Sequence, residues 1–178
     1  MKRTIRAAFL AVLVAVAGTL PASAQWIGFD PAETVPATEV FTVALVLDTE
    51  GVTVMGADVL FTFDPAVVRL DSVTVGDWFT TAPQPYFFWA DAGGSVADLV
   101  QVTGSVMTTG RAGAGALAVL HFTALAAGFC DLEFRAVSLR DPLNASVPHT
   151  RSTGDRIIIE EAIGVGTASF GGLKARWR

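Results

Sequence analysis

Cysteine and histidine are nearly missing from this chain: it holds one cysteine, Cys130, and two histidines, His121 and His149. A single cysteine excludes any disulfide within the chain. Cys130 opens the strand-like run Phe129-Cys130-Asp131-Leu132, and it reads as a small buried hydrophobe rather than a nucleophile. With so few histidines and cysteines, no zinc site is expected. Positive charge is also scarce, with 12 Lys and Arg against 17 Asp and Glu, a net charge of −5. Nucleic acid and anionic lipid require a basic surface, so neither is expected as a partner of the domain body. There is no G-x-S-x-G elbow and no phosphate-binding glycine loop. No segment after the first 24 residues shows a long 3.6-residue period, and none is apolar for the roughly 20 residues a membrane helix needs.

What is present begins with a targeting pattern. Lys2, Arg3 and Arg6 precede an uncharged apolar run from Ala7 to Leu20, followed by Pro21 and Ala22-Ser23-Ala24. A charged start, a short apolar stretch and an A-x-A site describe a cleavable signal peptide over residues 1–24. The chain then starts at Gln25 with a net charge of −8, exported to the cell surface or medium, with no membrane span of its own.

Residues 25–161 alternate as strands do. Phe41, Val43, Leu45 and Leu47 share one face, and Ala57, Val59, Phe61 and Phe63 repeat the pattern, with Asp58 and Thr62 opposite. Asp64-Pro65 ends that strand. Val68 and Leu70 continue the core pattern while Val73 changes parity, which predicts a bulge or a change of sheet. Ala118, Leu120, Phe122 and Ala124 are expected inside, with Leu117, Val119, His121 and Thr123 opposite. Leu132, Phe134 and Ala136 follow, and Ile157 to Ile159 form a last short strand. Residues 103–115 read as a flexible connection rich in small residues, and 141–154 as a long loop. Many short strands separated by turns predict an all-β sandwich or barrel.

The candidates for chemistry are few. The carboxylates sit mostly at strand ends and turns, where solvated acids belong, so no acid/base pair is assigned and no enzyme is expected. Asp48, Glu50 and Asp64 could offer oxygen ligands to calcium, but their spacing fits no loop signature, and turn chemistry accounts for them. No metal or other cofactor is expected. The aromatic cluster is more informative: Trp78-Phe79 and Tyr86-Phe87-Phe88-Trp89 flank Pro83 and Pro85. Aromatic faces suit both sugars and protein partners. Trp78, Tyr86, Phe88 and Trp89 are therefore the candidate binding platform, although alternate rings could instead close one end of the core. Residues 162–178 form a small-residue spacer and a basic aromatic tail. Phe170, Lys174, Arg176, Trp177 and Arg178 are its candidate sorting or attachment residues.

The order of segments resembles the cohesin domain. The residues that carry the resemblance are Asp30 to Glu33 with Val40 to Val43, Gly56 to Val68, Gly113 to Leu125, Ser138 to Pro142 and Gly154 to Ile159. Together they cover about residues 26–160. The resemblance implies a two-sheet jelly-roll sandwich of about nine strands, related to certain carbohydrate-binding modules. It further implies a non-catalytic protein-binding role, with a dockerin-like or other surface protein as partner, linked to polysaccharide degradation or the cell surface. Direct carbohydrate binding through the aromatic platform and a structural cell-surface role are the alternatives. The chain carries one such copy and no accompanying dockerin.

Overall fold

Alternating apolar and polar side chains dictate most of the architecture. A computed structural model describes residues 25–30, 34–92, 98–153 and 155–161. The strands are β1 Gln25–Asp30, β2 Thr34–Pro36, β3 Val40–Asp48, β4 Gly56–Thr62, β5 Val68–Val75, β6 Tyr86–Ala92, β7 Leu99–Val106, β8 Ala114–Ala124, β9 Gly128–Arg140, β10 His149–Arg151 and β11 Asp155–Glu160. One short helix, α1, spans Asp77–Thr80. Two sheets pack face to face, in the orders β10-β1-β3-β8-β5 and β2-β11-β9-β4-β7-β6. Nine strands have six residues or more, and β2 and β10 add three residues each. The expected sandwich of about nine strands is what forms.

The core lies between the sheets. Phe41, Val43, Leu45 and Leu47 of β3 face Val59, Phe61 and the residues of β7 and β9 across the gap. Phe122 stacks on Phe41 at 5.7 Å and meets Phe63 edge-on at 5.5 Å. Phe29 packs on Phe61 and on Phe134. Each such burial stabilises the fold by about 1.5–3 kcal/mol before entropy is counted. The turn after β4 forms as its residues require: the Ala66 N–H donates to Asp64 Oδ1 at 2.9 Å, and the Val67 and Val68 N–H groups donate to the Asp64 carbonyl.

Three bulges set the remaining parity. In β5, Leu70 pairs with Phe122 but Ser72 with His121, so Asp71 is the extra residue; this is the parity change that Val73 predicts. In β8, Leu45 pairs with Ala118 and Val46 with Ala116, which leaves Leu117 extra. Leu117 is therefore buried, not outward as its alternation predicts. In β9, Leu60 pairs with Ala136 and Phe61 with Phe134, so Arg135 is extra. Ala136 is consequently exposed, and Phe134 is only half-buried.

Two loops expected from composition are partly strand. Residues 103–106 belong to β7, held between β4 and β6, and the connection to β8 is only 107–113. The small residue there is required: a Cβ on Gly104 would lie 2.4 Å from Phe79 Cζ. Likewise, 141–154 contains β10, which runs parallel to β1. Among the described residues no helix is long and apolar enough to cross a membrane.

Candidate binding surface

β6 is an edge strand whose alternate side chains divide between two environments. Tyr86, Phe88 and Ala90 sit opposite Val106, Gly104 and Val102 on the core side. Phe79, buried in α1, receives Tyr86 and Phe88 at ring-centroid distances of 6.0 and 6.1 Å. Phe87 and Trp89 point to the outer face of the six-stranded sheet and are 46% and 45% exposed.

Strand register extends both of these rings into rows across that outer face. Trp89, Thr103, Asp58 and Ser138 are successive partners on β6, β7, β4 and β9. Phe87, Ser105, Gly56 and Arg140 form the adjacent row. At about 4.8 Å per strand, each row is about 14 Å long. Asp58 Oδ1 accepts hydrogen bonds from Gln101 Nε2 at 2.9 Å and Thr103 Oγ1 at 2.7 Å. The small residues in the middle of the rows leave a groove of about 540 Å3, with Phe87 at one wall and Arg140, Asp141 and Asn144 at the other. Such a surface offers apolar ring faces beside fixed donors and acceptors, which suits recognition.

The expected platform is thus redrawn. Trp78 is 0% exposed and belongs to the core. It sits in α1, where Arg111 stacks on its ring at 5.7 Å and donates hydrogen bonds to the Trp78 and Asp77 carbonyls. Phe88 is half-buried on the core side, and Tyr86, 41% exposed, shares that side at the edge. Of the four, only Trp89 lies on the outer face. Its neighbour there is Phe87, which the candidate set omits although strict alternation pairs it with Trp89. The tail residues Phe170, Lys174, Arg176, Trp177 and Arg178 lie outside the described residues.

The other candidates resolve as local structure. Asp48 Oδ1 accepts the Glu50 N–H at 2.9 Å, which is turn chemistry. Among the described residues no three His, Cys, Asp or Glu side chains are grouped to hold a metal ion. His121 Nε2 lies 3.1 Å from Thr74 Oγ1, and His149 Nδ1 lies 3.1 Å from the Val147 carbonyl. Cys130 is buried, which pushes its thiol pKa up, and its sulfur accepts the Asp64 N–H at 3.4 Å. The Thr123 hydroxyl and then Arg69 hold the Asp71 carboxyl below its usual range. Hydrogen bonds from Arg156 do the same for Asp131.

No family model and no curated protein matches the sequence. Solved structures do match. A non-cellulosomal cohesin from the archaeon Archaeoglobus fulgidus superposes with a TM-score of 0.60 at 11% identity, over 88% of this chain and 100% of its own. A type II cohesin domain from the cellulosome of Acetivibrio cellulolyticus gives 0.64 at 14% identity, over 75% and 95%. A chain of a type I cohesin–dockerin complex from Clostridium thermocellum gives 0.61 at 11% identity, over 77% and 99%. The sandwich described here has the cohesin-like fold.

Proposed function

We propose that this chain is an exported, non-catalytic binding module that docks a protein partner on the outer face of its six-stranded sheet. The observation that carries the reading is the pair Phe87 and Trp89, both about half exposed at the head of two cross-strand rows that end at Arg140 and Ser138. Exposed aromatic side chains and arginine are the residue types that dominate protein-binding energy. A neighbour of the same fold is named as part of a cohesin–dockerin complex, which supports a dockerin-like domain or another surface protein as the partner. The charged, apolar and A-x-A segments before Gln25 support export, and N-terminal sequencing of the exported protein should begin at Gln25.

The test is capture of partners by the immobilised domain, followed by titration of the best one. Replacing both Phe87 and Trp89 with alanine should weaken that affinity at least about 30-fold, the effect of losing a 2 kcal/mol hot spot. Unchanged affinity in the double variant would place the partner elsewhere. A second reading is direct carbohydrate binding, favoured by one feature: the same rings stand beside Asp58, Gln101 and Thr103, a set that could stack on a sugar face and bind its hydroxyls. Retention of the wild type on insoluble polysaccharide, lost in the same double variant, would select that reading. A purely structural surface role predicts neither result. A link to polysaccharide degradation follows only if the partner or the ligand proves to be of that kind.

A further inference from the structure

Four strands lie at sheet edges: β10 and β5 in one sheet, β2 and β6 in the other. Edge strands expose unpaired backbone groups, and proteins blunt them by shortness, proline, charge or bulges. β10 has three residues and includes Arg151, and β2 has three and ends at Pro36. β5 is bulged at Asp71 and carries the Arg69–Asp71 ion pair, 2.7 Å long. β6 is the least protected of the four. Its seven residues, Tyr-Phe-Phe-Trp-Ala-Asp-Ala, pair with β7 in unbroken register and contain a single charge, Asp91.

We infer that the free edge of β6 pairs antiparallel with β6 of a second copy of this chain. The parity of the edge limits the register. The Met107 N–H donates to the Pro85 carbonyl at 2.7 Å, next to the pair Tyr86 and Val106. Bonded and non-bonded pairs alternate along an antiparallel ladder, so the odd-numbered residues of β6 direct their N–H and C=O groups to β7. Tyr86, Phe88 and Ala90 direct theirs to the open side. Even-numbered residues must then pair with even-numbered residues, so a two-fold axis passes through a residue and not between two; an axis at Phe88 pairs residues 86–90 of each copy and sets the exposed rings against one another. Phe88 bonds to the partner's Phe88, and Tyr86 to the partner's Ala90, in both directions.

The side chains fit the same register. On the outer face Phe87 lies opposite the partner's Trp89, and Trp89 opposite the partner's Phe87, in the non-hydrogen-bonded positions where side chains approach most closely. Charge agrees as well. Asp91 falls opposite the partner's Pro85, so no carboxylate meets another across the seam despite the acidic body. The isologous contact closes on itself and joins the two six-stranded sheets into one.

Sedimentation velocity on the full chain as purified from its host tests this, over concentrations from micromolar to near millimolar. A monomer–dimer equilibrium is expected. Ala90→Pro removes an N–H that β7 does not use and places a ring against the incoming strand, so it should raise the dimer dissociation constant at least about tenfold. Because proline could also unfold the strand, a second variant carries Phe87→Cys and Trp89→Cys together. Mild oxidation with oxidised glutathione should cross-link it into a covalent dimer, since each new thiol faces the other type across the seam. A wild type that stays monomeric throughout overturns the inference. So does a dimer in which folded Ala90→Pro associates as the wild type does, or in which the paired cysteines fail to cross-link.

Discussion

Phe122 and Phe134 occupy similar places in the sequence pattern and different places in the molecule. Phe122 is fully buried, with Phe41 stacked on one side and Phe63 edge-on at another. Phe134 sits beside the Arg135 bulge, half-buried, with Phe29 as its stacking partner at 4.6 Å. Phe122→Ala should therefore cost about 3–5 kcal/mol, the usual loss for a core phenylalanine. Phe134→Ala should cost clearly less, because part of the vacated volume opens to solvent. Denaturant titration with an unchanged slope measures both, and equal costs would contradict the burial difference. At this scale the sequence was most readable where alternation ran unbroken, as from Phe41 to Leu47 and from Ala57 to Phe63. It misled at Leu117 and Ala136, because a bulge reverses parity and neither Gly nor Pro marks these two.

Among elements, α1 shows what composition hides. Four residues are too few for a helical period, so the sequence leaves Trp78 open between the candidate platform and the core. What turns it inward is a set of contacts distant in sequence. Asp77 Oδ1 accepts the Ala116 N–H at 2.7 Å, and only glycine fits at position 76, since a Cβ there would lie 2.0 Å from the Ala116 carbonyl oxygen. Arg111 spans the helix end, donating to the Asp77 carbonyl at 3.2 Å and to Thr81 Oγ1 at 2.8 Å, as well as to the Trp78 carbonyl. The Asp77 carbonyl also accepts the Thr81 N–H at 3.1 Å, so the Trp78 carbonyl is the one that depends on Arg111. Arg111→Ala should lower stability by about 1–3 kcal/mol through the Trp78 carbonyl left unpaired. It should also change the Trp78 environment, read as a shift in tryptophan emission in the still-folded protein. Lost stability without that shift would separate Arg111 from the packing of Trp78. β7 is the complementary lesson: its Thr, Gly and Ser content suggested a loop, yet Val100, Val102 and Val106 alternate into the core and Gly104 makes room for Phe79.

Across the whole molecule, the sandwich is closed by strands from opposite ends of the described chain. β1 pairs with β10, and β2 with β11. The Phe29 N–H reaches Asp155 Oδ2 at 3.2 Å, and Ser152 bonds the same oxygen. This closure explains why the order of segments was the most legible signal: five stretches at fixed spacing describe a topology even where no one stretch is distinctive. The candidate binding face was less legible, because a flat row such as Trp89, Thr103, Asp58 and Ser138 assembles from four strands and has no linear signature. The same closure predicts where the cooperative unit ends. Ile157 and Ile159 are buried, and β11 is hydrogen-bonded on both sides, to β9 and β2. Removing β11 would uncover both isoleucines and leave β9 and β2 unpaired along one edge, so truncation after Thr153 should abolish the cooperative transition. Truncation after Glu161 leaves all of these contacts in place. It should move the unfolding free energy by no more than about 0.5 kcal/mol, the range of a change that touches no packed group. A larger loss would mean that Leu173 or Trp177 contributes to the core, and that the boundary at residue 161 is drawn too early.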